Sequence, residues 1–339
     1  DLAGLDVTTC GRCLALDAVP APAGFTRVGL ADLKPGSVDD LLISGADPAL
    51  VEKLTPLLAK DGLCLLATGG ARFGREVQIP VGRVHYGNIR FCGTTGTTFA
   101  KALARIPATG EVRPGDHVSV IGAAGPMGSM AVIRCAALGL PGTTIDGSDM
   151  AEDRLAVLER KAAPVAAAKR VPLRLFNPKS AQPTKPADYV MVMVPVGPLV
   201  AGAVRACSPG AIVNIFAGIP ADVQQAIDLD AYCDKGAYFV GTSGSTMDDI
   251  RAVLAKVEAG ELDTDLSVGA VSGMGGAIEG LEAVKTGRIS GKILVYPALG
   301  DLGLMDLKTL AERHPTVGAK LRDGSWCKAA EDELLKLAR

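Results

Sequence analysis

The stretch that decides the fold is Val112–Asp149, VRPGDHVSVIGAAGPMGSMAVIRCAALGLPGTTIDGSD. A short apolar run, His117 to Ile121, leads into Gly122-Ala123-Ala124-Gly125-Pro126-Met127-Gly128, and a helical pattern follows from Met127 to Leu138. A second strand-like run then ends in the acids Asp146 and Asp149. Each glycine has a physical task in such a turn. Gly122 lets the chain leave the strand sharply, Gly125 lets the backbone approach a pyrophosphate, and Gly128 lets the helix pack closely on the strand. The helix N-terminus adds unpaired N–H groups and the positive end of the helix dipole. Asp149 stands 21 residues beyond Gly128 (149 − 128), about where a carboxylate takes the ribose hydroxyls of NAD.

Glycine spacing alone says little in a chain with 41 glycines, and it is the strand before, the helix after and the acid beyond that give it meaning. Asp149 is preferred to Asp146 because Asp149-Met-Ala-Glu-Asp-Arg154-Leu155 opens the next helix. No arginine directly follows the acid to meet a 2′-phosphate, so NAD is preferred to NADP.

Composition narrows the class. At 339 residues the chain can hold two or three domains, each with a sizeable core. With 48% hydrophobic and 21% charged residues it reads as soluble and globular. A formal net charge of −2, without a basic stripe interleaved with aromatics, argues against a nucleic-acid partner. Apolar runs break well before ~18 residues, so no membrane span is expected. No signal peptide is visible, and the start at Asp1 reads as processed or truncated. The eight cysteines lie scattered in apolar runs, which suits a reduced, cytoplasmic protein. Cys10-Gly-Arg-Cys13 is the one close pair, and no second pair or nearby histidine completes a metal site.

An internal repeat organises the chain. Val38-Asp-Asp-Leu-Leu-Ile-Ser-Gly45 is matched by Pro186-Ala-Asp-Tyr-Val-Met-Val-Met193, and Lys60–Gly70 by Ser208–Gly218. Phe91-Cys-Gly-Thr-Thr-Gly-Thr-Thr98 is matched by Phe239-Val-Gly-Thr-Ser-Gly-Ser-Thr246. The offset is constant: 188 − 40, 210 − 62 and 241 − 93 all equal 148. Two copies of one α/β unit are therefore expected. Short β-branched runs separated by helices indicate parallel, doubly wound Rossmann-like sheets, one complete and one partial. The complete copy should place strands near 117–121, 143–146, 171–176, 188–194, 211–216 and 237–241. Its helices should lie near 127–138, 151–169, 197–206 and 222–232. The partial copy lacks a phosphate turn and should be completed by a segment outside this sequence or by packing on the second copy. Beyond Thr246 an amphipathic helix, with Ile250, Val253, Leu254 and Val257 on one stripe, precedes a return segment. The tail after Asp301 reads as two polar helices anchored by Trp326. The resulting scheme is 1–110 partial repeat, 111–246 complete dinucleotide-binding domain, 247–300 return segment and 301–339 helical tail.

Arg113-Pro-Gly-Asp-His-Val-Ser-Val-Ile-Gly-Ala-Ala-Gly-Pro-Met-Gly128 resembles the cofactor turn of medium-chain dehydrogenases/reductases, the zinc-type alcohol and polyol dehydrogenase family. Asp149 with Arg154-Leu155 resembles that family's second-strand acid and following helix, and Gly276–Pro297, with Gly291-Lys292 inside, its C-terminal return segment. The tandem layout resembles enlarged members that act on sugars or polyol phosphates. The resemblance implies that Gly122–Gly128 cradle a pyrophosphate, that Asp149 takes the adenosine ribose and that Asn177 lies beside adenine. It further implies that Val194, Pro195, Ala217, Gly218, Thr242 and Ser243, at the carboxyl ends of strands four to six, hold the nicotinamide. Gly241–Thr246 reads equally as an anion site or a structural turn, and Lys292 as a cleft residue or a solvated one.

The family's catalytic zinc has no ligand set in this sequence, whose histidines are only His85, His117 and His314. His85 is expected on a strand of the first copy, His117 in a structural role and His314 in solvent. No catalytic residue is assigned. The expectation is an NAD-dependent oxidoreductase of alcohol or carbonyl substrates, with its zinc domain upstream or on another chain, acting as a cytoplasmic homo-oligomer on a small molecule. A non-catalytic dinucleotide-binding sensor or regulatory module is the alternative, and another nucleotide-using enzyme of doubly wound fold a third.

Overall fold

The computed structural model describes residues 2, 10–16, 22–241 and 243–338. In chain order the first stretch carries β1 (Leu14–Leu16), β2 (Thr26–Val28), β3 (Val38–Ser44), α1 (Pro48–Leu54), β4 (Leu58–Ala67), β5 (Val77–Ile79), α2 (Val81–Gly87), β6 (Arg90–Thr94) and α3 (Phe99–Leu103). Next come β7 (His117–Ile121), α4 (Pro126–Leu138), β8 (Thr144–Ser148), α5 (Glu152–Lys169), β9 (Leu173–Phe176), β10 (Tyr189–Val192), α6 (Gly197–Ala206), β11 (Ile212–Ile215), β12 (Gln225–Ile227), α7 (Leu229–Lys235) and β13 (Tyr238–Val240). The chain closes with α8 (Met247–Glu258), β14 (Val268–Gly273), α9 (Ala277–Thr286), β15 (Lys292–Tyr296), β16 (Met305–Asp306), α10 (Leu307–Arg313), α11 (Pro315–Gly318) and α12 (Lys328–Leu334).

The fold is α/β and Rossmann-like. Its largest sheet has six strands in the order β13-β11-β10-β7-β8-β9, which is 3-2-1-4-5-6 when read from β9. That order reverses between β7 and β10. The expected strands of the second copy all form, and helices start at 126, 152 and 197 as the periodicity requires. One expectation fails. Instead of a helix over 222–232 the chain makes a turn, Val223 N–H to Pro220 O, then β12, then α7. The helix starts late because Asp228 caps it, accepting the Ala231 N–H at 2.8 Å. His85 also departs from expectation, lying on α2 rather than on a strand.

Contacts divide the chain into two compact units. The first comprises 1–112, 116–119 and 184–244. In it β3, β4 and β6 form a parallel sheet, and β10, β11 and β13 run parallel in the order given above. The pair Leu41↔Cys64 has its counterpart 148 residues on, Tyr189↔Ile212, and the register matches along both strand pairs. The next pair slips by one residue, Cys64↔Phe91 against Ile212↔Tyr238. β5 and β12 pair antiparallel with Gln78 facing Ala226, so a strand meets its own counterpart (226 − 78 = 148). Phe91 and Phe239 are also 148 apart, and their rings meet edge to face at 6.4 Å. The Tyr232 hydroxyl links the same two residues, donating to Phe91 O at 2.8 Å and accepting from Phe239 N–H at 3.2 Å. These contacts set an approximate two-fold axis inside the unit.

The thiols in this core are inert. Burial pushes the Cys92 and Cys233 thiols up to about 12, and Cys64 is raised still further.

The second unit comprises 113–115, 120–183 and 245–339. In it α4 and α5 pack on each other beside the parallel pair β8 and β9. A second core joins Val271, Leu310, Val317, Leu334 and Trp326 under the mixed sheet β15-β14-β16. Trp326 is the expected anchor at 2% exposure, but three short helices surround it rather than two. Lys161 of α5 donates to Val268 O at 2.8 Å, and burial lowers its pKa to about 8. The stripe of α8 is left open: Ile250, Val253 and Leu254 are exposed, as are Ile278, Leu281 and Val284 of α9. Among the described residues no helix is long and apolar enough to cross a membrane.

Candidate functional site

The glycine turn forms as its residues require. Gly122 has φ +84°, a left-handed conformation that side chains resist, so the strand can turn only on glycine here. The N–H groups of Gly122 and Ala123 both donate to Ser148 O, at 2.8 and 2.9 Å, which ties the turn to the end of β8. Gly128 is closed to any side chain, since a Cβ there would lie 2.0 Å from Gly122 O and 2.9 Å from the Ala123 carbonyl carbon.

Gly125 differs from both. Its φ of −72° suits any residue, and its Cβ would meet only Gly122 O, at an ordinary 3.4 Å. Neither backbone conformation nor protein packing demands glycine there. α4 begins on the next residue, Pro126, whose missing N–H and preset φ suit the first helical position. No side chain caps this terminus, so its leading N–H groups are left without the usual side-chain acceptor. Gly125 thus keeps clear the space in front of an uncapped helix end. That is a cradle a diphosphate fits, with Gly122 shaping the turn and Gly128 bringing the helix close. Ala123 and Ala124 are fully buried beneath it, whereas Met127 is partly exposed, with Lys292 Nζ 3.1 Å from its sulfur. Lys292 also lines an open apolar groove of about 250 Å³ with Pro126, Gly280, Leu281 and Ile293.

Asp149 follows the end of β8 and is 9% exposed. Its Oδ2 accepts the Ala124 N–H at 3.0 Å, and its Oδ1 accepts the Ala151 N–H at 3.0 Å, with Arg154 at 3.4 Å. The acid therefore braces the glycine turn from below while holding the start of α5, a role that the spacing to Gly128 did not reveal. Two carboxylate oxygens offer about four lone-pair sites, so this bracing leaves acceptor capacity for a ribose. Asp146 sits inside β8, buried, opposite Arg174 at 3.5 Å on β9. Asn177, just past β9, donates to Met150 O at 3.2 Å and to Glu152 at 3.3 Å, while its own oxygen accepts the Lys179 N–H.

The remaining sequence-derived positions belong to the first unit. Ala217 is buried and donates to Val192 O at 3.0 Å, while Gly218 beside it is exposed. Pro195 is exposed, and Val194 O accepts the Val196 N–H in a tight turn. Ser243 is exposed, and Thr242 lies outside the described residues. His117 is buried at the start of β7, where its N–H donates to Asp188 at 2.8 Å. Among the described residues no three His, Cys, Asp or Glu side chains stand together to hold a metal, so the zinc implied by the resemblance has no ligand set here.

No family model matches the chain. L-sorbose 1-phosphate reductase of Klebsiella pneumoniae is 31% identical over 156 residues, 44% of this chain and 36% of that protein. Among solved structures, 2R,3R-butanediol dehydrogenase from Bacillus subtilis is 18% identical with a TM-score of 0.43, covering 55% of this chain and 52% of the other. The alcohol dehydrogenase TADH from Thermus sp. ATN1 is 23% identical with a TM-score of 0.44, covering 55% and 54%. The match thus spans about a third of the curated relative and about half of each structure.

Proposed function

We propose that this chain is the cofactor-binding part of an NAD-dependent oxidoreductase that moves hydride between nicotinamide and an alcohol or carbonyl substrate. The observation that carries this is Gly125, the one glycine of the turn that the protein itself does not need. In this reading Gly122 to Gly128 and the first N–H groups of α4 hold the diphosphate. Asp149 accepts the adenosine ribose hydroxyls while it braces the turn, and Asn177 borders adenine. Val194, Pro195, Ala217, Gly218, Thr242 and Ser243 are assigned to the nicotinamide by the resemblance alone. Bound NAD would supply a ring that gives or takes a hydride; the chain supplies binding and orientation. NAD is preferred to NADP, since the residue after Asp149 is Met150.

A sugar or polyol phosphate is the proposed substrate class, supported by the partial match to L-sorbose 1-phosphate reductase. The zinc-bearing catalytic domain is placed outside this chain, and the open apolar stripes of α8 and α9 are surface that such a domain would cover. Residues 1–110 are read as a partial copy of the cofactor domain, supported by the shared register of β3–β4 and β10–β11. A cytoplasmic homo-oligomer remains part of the proposal.

Titration of NADH against Gly125→Asp tests the reading. The new side chain would fill the diphosphate's space and repel it, so binding should fall on the order of 100-fold. The melting temperature should hold, because the site has room for a Cβ. Wild-type affinity in this variant would reject the site.

A further inference from the structure

One edge of the first copy is open where the second copy's is closed. In the second copy β10 has β11 on one side and β7 on the other. The first residue of β7 is held at two points. The His117 N–H donates to Asp188 Oδ2 at 2.8 Å, and His117 O accepts the Asp188 N–H at 2.9 Å. The offset of 148 carries Asp188 onto Asp40 of β3 (188 − 148 = 40). β3 pairs with β4 as β10 pairs with β11, yet among the described residues no strand lies on its other side. Asp40 is exposed. Leu41 and Leu42 are only half-buried, although their counterparts Tyr189 and Val190 are buried.

The other strand positions of the first copy are filled. β4 and β6 overlap β11 and β13 at the same offset, and β2 overlaps β9 (26 + 148 = 174). β1 pairs parallel with β2, as β8 does with β9. Among the described residues, β7 is then the one strand of the six-strand order with nothing in its place in the first copy.

We propose that the open edge of β3 is a docking site for one extended strand with the chemistry of β7, supplied from outside residues 1–339. The strand is five residues long, apolar and β-branched like His117–Ile121, and runs parallel to β3. Asp40 accepts its leading N–H, as Asp188 does for β7. This rests on reading residues 1–110 as a partial copy. Backbone hydrogen bonds to β3 supply affinity, and the strand covers Leu41 and Leu42. The β3 of a second copy is a poor occupant, because a two-fold pairing would bring Asp39 and Asp40 of two chains together.

The probe is a synthetic peptide of residues 112–122, VRPGDHVSVIG, which carries β7. Hydrogen exchange is measured on residues 1–339 with and without it. New protection should appear at 38–44 and not at 189–192, whose open side β7 already holds. Asp40→Ala should keep the melting temperature and weaken the peptide about 5- to 10-fold. A peptide carrying Ser119→Pro, with one ladder donor removed, should not bind. Absence of protection at 38–44 with the peptide at about 1 mM overturns the proposal. So does equal affinity in Asp40→Ala, or a dimer in sedimentation that protects 38–44 without peptide. Slow exchange along β4 in the free chain keeps the partial copy in place whatever the peptide does. Fast exchange there overturns that reading and this proposal together.

Discussion

β3 and β10 occupy corresponding places in the repeat, yet they are buried very differently. All four residues of β10 are buried, whereas β3 buries only Ile43 among seven. Each pairs with its following strand in the same register, so that side does not explain the contrast. The other side does: β10 stands between β11 and β7, and β3 is the edge of a three-stranded sheet. The counterpart acids make the same point. Asp188 accepts the His117 N–H at 2.8 Å and a hydrogen bond from the Ser208 hydroxyl, while Asp40 is exposed. An apolar strand pattern states what a strand can bury, and a neighbour decides whether it does.

The largest effect expected from this comparison concerns the counterpart glycines 93 and 241. A Cβ at Gly241 would lie 2.9 Å from Ile215 O and 3.1 Å from Val84 O, both backbone atoms that cannot swing away. Gly241→Ala should cost about 3 kcal/mol, read as a lowered urea midpoint. A Cβ at Gly93 would lie 2.4 Å from the Cys233 sulfur. Gly93→Ala should therefore also destabilise, but in a Cys233→Ala background most of its cost should vanish. Absence of that rescue would break the distinction between the two ends of the unit.

Tyr232→Phe comes next, at about 2 kcal/mol, because it strands the buried Phe91 carbonyl and Phe239 N–H that one hydroxyl now serves. A neutral result would mean that the axis contact contributes little.

The acids give the smallest effect and a pH signature. Burial pushes the Asp188 carboxyl up, and hydrogen bonds from Ser208 and His117 pull it down further, so its pKa is lowered overall. A lowered carboxylate contributes stability above its unfolded pKa of roughly 3.9 and loses it as the pH falls through the folded value. Asp188→Asn should cost about 1 kcal/mol at pH 7, and the gap to the wild type should close as the pH drops below roughly 4. Asp40→Asn should change stability by less than about 0.5 kcal/mol at any pH. Equal responses from the two would remove the contrast between the strands.

Much of the candidate site was legible because its signals are local. Gly122, Gly125 and Gly128 act through a turn of seven residues, and the structure separates their roles in a way spacing suggests but cannot measure. Asp149 was legible as an acid after a strand. Its grip on the Ala124 N–H was not, since that contact joins residues 25 apart through the packing of β7 on β8. Two local expectations failed where competing signals were also local. The 222–232 stretch has helical apolar spacing, but Asp228 caps a later start, and His85 in Val-His-Tyr has strand propensity yet lies in a helix packed on Pro220.

By itself the sequence determined the alternation of strand and helix from β7 to α6, the turn before α4 and the offset of 148 between copies. These follow from side-chain periodicity and backbone sterics acting over a few residues. The tertiary structure alone decided that β5 would pair with β12, that Phe91 would meet Phe239 and that α2 would reach the end of β11. Those outcomes depend on which surfaces find one another across more than a hundred residues, and a linear pattern sets what each surface offers without choosing its partner.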